Sequence, residues 1–293
     1  MREKMMNRMA EAVKKEFGTE CEVQFQDVAK NNGLMLKAII IREPGMAVSP
    51  TVYIDEVLDR IISGDIDIRE AAQEIISTYR KCRGKGDFED IISCLNGRSI
   101  LAGVTYQLIN LEKNEDRLVC MPHKRFLDLA AVYRVVVNDN GEGMASFLMS
   151  DSLCDNYGLT KKELDAAAMR NTEQQGFQAM SMGSILAEIT GVPKDETDAG
   201  CIMWVLTNSK RLNGAVAMLY PDLFKNLADR IGSDLYVLPS SIHEVIAVPA
   251  DGMNPEELKT IVGDVNSVEV SEDEFLSGNV YKYIRRENRL VIA

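Results

Sequence analysis

Met5, Met9, Val13 and Phe17 recur every fourth residue, an apolar stripe along one helix that Gly18 can end. Cys21, Val23 and Phe25 then alternate with Glu22, Gln24 and Gln26, the period of a strand with one wet face. Asn32-Gly33 supplies the positive backbone angles of a tight turn, and the return strand from Leu34 to Ile41 is almost wholly apolar, which places it centrally in its sheet. Ser49-Pro50 predicts a helix start, followed at helical spacing by Ile54, Val57, Leu58, Ile61 and Ile62, with Gly64 as its stop. Asp67 and Glu70 form a capping-box pair before a second amphipathic helix through Ile68, Ala71, Ala72, Ile75, Ile76 and Tyr79. A short helix through Phe88, Ile91, Ile92 and Leu95 is expected next.

Between Ile100 and Leu111 the alternation of Val104, Tyr106 and Leu108 favours a strand, although Leu101, Val104 and Leu108 also fit a helical face. Phe126 to Val137 is a β-branched and aromatic run, closed by Asn138-Asp139-Asn140-Gly141 and answered by Met144 to Met149. Two helices are predicted to follow, the second opened by Thr160 and Glu163. From Thr172 to Gly200 the periodicity weakens into a surface loop flanking a short helix. Cys201 to Leu206 and Ala215 to Tyr220 read as strands joined through Asn213-Gly214, and Pro221 opens a helix that Gly232 stops. Leu235 to Leu238 and Val245 to Val248 repeat the strand pair, Asn254-Pro255 begins another helix, and a hairpin around Glu287-Asn288 closes the chain.

The pattern is a strand-strand-helix unit met about four times, which predicts the α+β class: mostly antiparallel sheet with helices packed on the sheet faces. A length of 293 residues favours two packed domains over one, with residues 1–96 and 97–293 as the division, or one continuous unit if the boundary does not hold.

Charge narrows the partners. Lys and Arg number 33 against 45 Asp and Glu, a formal charge of -12, and the densest basic stretches (Arg80, Lys81, Arg83, Lys85; Arg285, Arg286) are short and interrupted. Nucleic acid is not expected as a partner, nor is a membrane, since no stretch approaches the roughly 20 apolar residues of a span. Six cysteines without a CxxC pair fit reduced thiols, and the first residues lack the apolar run of a signal peptide, so a cytoplasmic protein is expected.

Only two histidines are present, which restricts general-base, triad and metal schemes. His243 lies in Pro239-Ser240-Ser241-Ile242-His243-Glu244, where a loop between strands would gather hydroxyls, an imidazole and a carboxylate, the groups that nucleophile activation uses. The same residue types in a loop also make turn hydrogen bonds. Cys120 and His123 share a metal-ligand spacing that Cys82 or Cys94 could complete, without the second closely spaced ligand pair of a zinc site. No phosphate loop, HExxH, GxSxG or calcium-loop pattern occurs; Asp139-Asn140-Gly141-Glu142-Gly143 reads as a turn, and no cofactor is expected.

The blocks NNGLMLKAIIIREPGMAVSPTVYID, LINLEKN, PHKRFLDLAAVYRVVV, LTNSKRLNGAVAMLYPDLF and GSDLYVLPSSIHEVIAVPADG resemble a bacterial family catalogued as a domain of unknown function, number 5688, over nearly the whole chain. The segment from Met149 to Thr172 also looks like part of a second bacterial family, which implies a shared fold and carries no activity. The resemblance assigns no site residue. Two functional readings follow from the residues: a binding or regulatory module without catalysis, with a protein partner at a sheet edge, and, second, an enzyme acting on a small substrate through the Ser240 to Glu244 loop.

Overall fold

A computed structural model of the chain describes residues 2–18, 20–45, 49–83, 95–139, 144–191, 200, 202–239 and 241–293. The expected short helix through Phe88, Ile91 and Ile92, the Asn140-Gly141 turn and the charged run from Lys194 to Asp198 lie outside these residues. The chain divides into two compact units, residues 1–95 with 138–145, and residues 96–137 with 146–293.

In the first unit, helix α1 (Arg2–Phe17) precedes an antiparallel sheet of β1 (Glu22–Ala29), β2 (Met35–Arg42) and β3 (Thr51–Tyr53), with β2 central. Helices α2 (Asp55–Ser63) and α3 (Ile68–Arg83) follow. Asn32 and Gly33 both take positive φ, 60° and 74°, in the turn between β1 and β2. One face of the sheet, through Val23, Phe25, Ile39, Ile41 and Val52, buries the stripe of α1 (Met9, Val13) and of α3 (Ala72, Ile75, Tyr79). Each such aliphatic side chain taken from water contributes about 1.5–3 kcal/mol.

The helix start expected at Ser49-Pro50 is not there. Thr51, Val52 and Tyr53 pair with β2, Val52 opposite Ile39, and the helix begins only at Asp55. The β-branched and aromatic side chains fit the pleat, and the Ile54 N–H is already bonded to Lys37 O at 2.9 Å, so proline precedes a short strand rather than a first turn.

The second unit opens with α4 (Gly97–Gly103) and β4 (Val104–Asn110), so the ambiguous stretch is a helix followed by a strand. Asn96 caps α4, accepting from the N–H groups of Arg98 and Ser99. After the short helix α5 (Glu115–Leu118) come β5 (His123–Phe126), β6 (Leu129–Asp139) and β7 (Met144–Leu148), in a sheet ordered β4-β6-β5 with β7 on β6. Helix α6 (Asp151–Tyr157) and helix α7 (Lys161–Glu173) follow; Thr160 and Glu163 form the predicted capping box. α7 is fastened to the sheet by Thr172 Oγ1, which accepts from Tyr106 N at 2.8 Å, and by Asp165, which accepts from the hydroxyls of Tyr106 and Tyr133.

The larger sheet runs β13-β12-β10-β11-β9-β8. It contains β8 (Phe177–Ser181), β9 (Trp204–Asn208), β10 (Leu235–Leu238), β11 (Val245–Pro249), β12 (Tyr281–Ile284) and β13 (Arg289–Ile292). Its neighbours pair antiparallel throughout. Helices α8 (Met182–Thr190), α9 (Pro221–Ile231) and α10 (Pro255–Glu269) complete the unit, and Leu258 and Val262 of α10 pack on Tyr236, Leu238 and Val248. The architecture is α+β. The strand expected at Ala215 to Tyr220 is instead a 3₁₀ segment, Gly214–Leu219, buried from Gly214 to Met218, which breaks the third of the expected strand-strand-helix units. No helix among the described residues is long and apolar enough to cross a membrane.

Candidate functional site

The β5–β6 turn, Leu127-Asp128, is two residues long; Leu127 takes a φ of 55°, and Arg125 Nε donates to its carbonyl at 3.1 Å. This turn places Asp128 at the end of the sheet. Ser277 Oγ (2.8 Å) and Asn279 Nδ2 (2.9 Å) donate to Asp128 Oδ2, and the hydroxyl of Tyr281 donates to Oδ1. Tyr281 and Ser277 are fully buried. Burial, followed by the hydrogen bond to Asp128 and the nearby carboxylate charge, pushes the Tyr281 hydroxyl well above the ordinary tyrosine range, so it stays a donor. Leu111 N donates to the Asp128 carbonyl, and Asn110 Nδ2 donates to Leu276 O at 2.9 Å. These bonds frame a cleft of about 460 Å³. Asp128, Ser277 and Asn279 line it with Leu111 and Phe275, and Glu112, Lys113, Glu115 and Arg125 stand at its exposed edge.

The segment that forms one wall of this cleft also holds the histidine loop. Ile242 N donates to Glu274 O at 2.9 Å, Ser277 N donates to Pro239 O at 3.0 Å, and Ser241 bridges Phe275. His243 is fixed on both ring nitrogens: Nδ1 accepts the backbone N–H of Asn213 at 3.1 Å, and Nε2 lies 3.2 Å from Glu274 Oε1. Its carbonyl accepts from Thr207 Oγ1 at 2.8 Å. Ser241 Oγ accepts the backbone N–H of His243 at 3.0 Å and makes no bond to the ring. Glu244 is adjacent; burial pushes its carboxyl above the ordinary glutamate value, His243 opposes the rise and Glu274 adds to it. Ser240 lies outside the described residues.

Cys120 and His123 each bond a nearby backbone carbonyl. Cys120 Sγ lies 3.4 Å from Arg117 O, and His123 Nδ1 lies 2.8 Å from Met121 O, with its residue paired to Val132 in the sheet. Cys82 is free, and Cys94 is outside the described residues. Among the described residues no group of three or more His, Cys, Asp or Glu side chains is placed to hold a metal ion.

The five sequence blocks that mark the resemblance supply much of this geometry: Asn110 to Asn114, the Asp128 turn, the Thr207 to Gly214 loop and the His243 loop all fall within them. The chain belongs to the family of unknown function DUF5688, whose model matches residues 2–285. No curated protein and no solved structure matches it. The DUF5688 match spans both the cleft residues and the histidine loop. Sequence reasoning nominated the loop but missed Asp128, because its partners Ser277, Asn279 and Tyr281 lie 149 to 153 residues away and no local motif marks them.

Proposed function

We propose that this DUF5688 chain is a binding module without catalysis, with its ligand in the Asp128 cleft. The observation that carries the reading is that the candidate reactive groups are tied to backbone and neighbouring side chains beside an open, charge-rimmed cavity. His243 uses both ring nitrogens, Ser241 Oγ takes a backbone N–H, and Asp128 accepts three donors, so these groups are held in place rather than aimed at a reacting atom. The cavity has the size of a small-molecule site, for which roughly 300–1,000 Å³ is usual. A regulatory role and a protein partner at a sheet edge belong to the same proposal, as does a cytoplasmic location, which suits free Cys21, Cys82, Cys120 and Cys154.

The test is recovery of a small molecule from freshly purified native protein by mass spectrometry after denaturation. A bound compound lost from Arg125→Ala supports the reading; turnover of that compound, abolished by His243→Ala, would replace it with the enzyme reading. That second reading, an enzyme acting on a small substrate through Ser240, Ser241, His243 and Glu244, draws on the burial of the Glu244 carboxyl next to His243, which raises it above the ordinary glutamate value.

A further inference from the structure

The charges of the cleft point to the chemistry of its occupant, an inference that rests on the cleft being the ligand site. Glu112, Glu115 and Asp128 face one cavity with Lys113 and Arg125. None of these five forms an ion pair with a described residue. Exposed pairs are worth only about 0–1 kcal/mol, so leaving both signs open costs the fold little and leaves both available to a ligand.

The acceptors and donors are distinct. Asp128 has about four acceptor positions as a carboxylate, and three are taken by Ser277, Asn279 and Tyr281. Arg125 commits Nε to Leu127 O, which leaves its two Nη groups for a planar anion such as a carboxylate. Lys113 Nζ lies 4.6 Å from the centroid of the Phe275 ring, which holds this cation beside the apolar wall of the cleft. A purely anionic ligand would meet the three acidic side chains, and a purely cationic one the two basic ones.

We propose that the cleft binds a small zwitterion, an α-amino acid or a dipeptide. Its ammonium is received by the remaining acceptor position of Asp128 and by the acidic rim. Its carboxylate is received by Arg125 and Lys113, and its carbon skeleton lies on Leu111 and Phe275.

The full chain, isotopically labelled, is titrated with the twenty protein amino acids and diglycine, with butylamine and butyrate as single-charge controls, while the backbone amides of Lys113, Gly278 and Asn279 are followed by NMR. At least one zwitterion should shift all three amides, bind at least about tenfold more tightly than either control, and lose about tenfold in affinity in Arg125→Ala, the loss of one charge-assisted contact. Arg125 is exposed, and because its Nε also bonds Leu127 O, amide shifts of Asp128 and Leu129 that match the parent chain check that the turn is kept in this variant. A control that binds as tightly as any zwitterion overturns the ligand class and leaves the cleft as a site. If no probe moves these amides, the class is wrong, and a general fragment library on the same sample separates the readings: fragments that shift them keep the cleft as a site, and silence there removes it as well.

Discussion

The backbone N–H of Asn213 donates to Nδ1 of His243, which fixes the tautomer of the ring. Nδ1 must carry a lone pair, so the neutral imidazole holds its proton on Nε2, toward Glu274. His123 is the opposite case, because its Nδ1 faces the Met121 carbonyl, which can only accept, and so bears the proton. In alkaline buffer, ring ¹⁵N shifts should report one Nε2–H and one Nδ1–H tautomer. An Nδ1–H tautomer at His243 would refute the bond from the Asn213 amide.

Glu244 gives a pH dependence of defined sign. Its carboxyl is raised in the fold, so the folded chain holds that proton more tightly than the unfolded chain does. Stability from this group is therefore full below the unfolded value near about 4.3 and is lost as pH rises through the folded value. Glu244→Gln should raise the thermal midpoint at about pH 7 and change it little at about pH 3. Paired melting curves at the two values decide it, and equal shifts at both would show that packing, not ionisation, is responsible.

What was legible in the chain was mostly local. Gly64 and Gly232 end their helices in the left-handed region, and Thr160 and Asn254 cap theirs, because these signals act within one turn. Ala215 to Leu219 misled because a short apolar run suits a buried strand and a buried 3₁₀ segment equally, and only packing decides. β8 at the sheet edge was missed because Phe177 to Ser181 is half-buried on both faces and lacks alternation. The cleft was invisible for a different reason: its floor joins a two-residue turn to a segment far along the chain.

Gly214 tests whether the histidine loop is held by packing. A Cβ there would lie 2.6 Å from His243 O and 2.7 Å from Asn208 N, and closer still to Thr207 Oγ1. Backbone atoms on two sides cannot yield, so Gly214→Ala should cost about 3 kcal/mol or more, the upper end for overpacking. Gly263, inside α10, meets nothing within 4 Å, and Gly263→Ala should stabilise by roughly 0.5–1 kcal/mol through helix propensity alone. Denaturant unfolding of the pair measures both, and a tolerated Gly214→Ala would mean the loop can open without loss.

Tyr281 and Asp128 join two segments more than 150 residues apart, and their bond is the one at the cleft floor that can be removed with least change of shape. Tyr281→Phe keeps the buried ring and deletes one donor to a carboxylate, at an expected cost of about 1.5–3 kcal/mol. Asp128→Asn should cost more, because it removes the charge from all three donors at once and turns one oxygen into a competing donor. In the double variant the two losses should fall short of their sum, since each removes the same bond. Strict additivity in a double-mutant cycle would show that the hydroxyl and the carboxylate are not coupled. The cleft floor would then be held by Ser277 and Asn279 alone, and Tyr281→Phe would leave ligand affinity in the cleft unchanged.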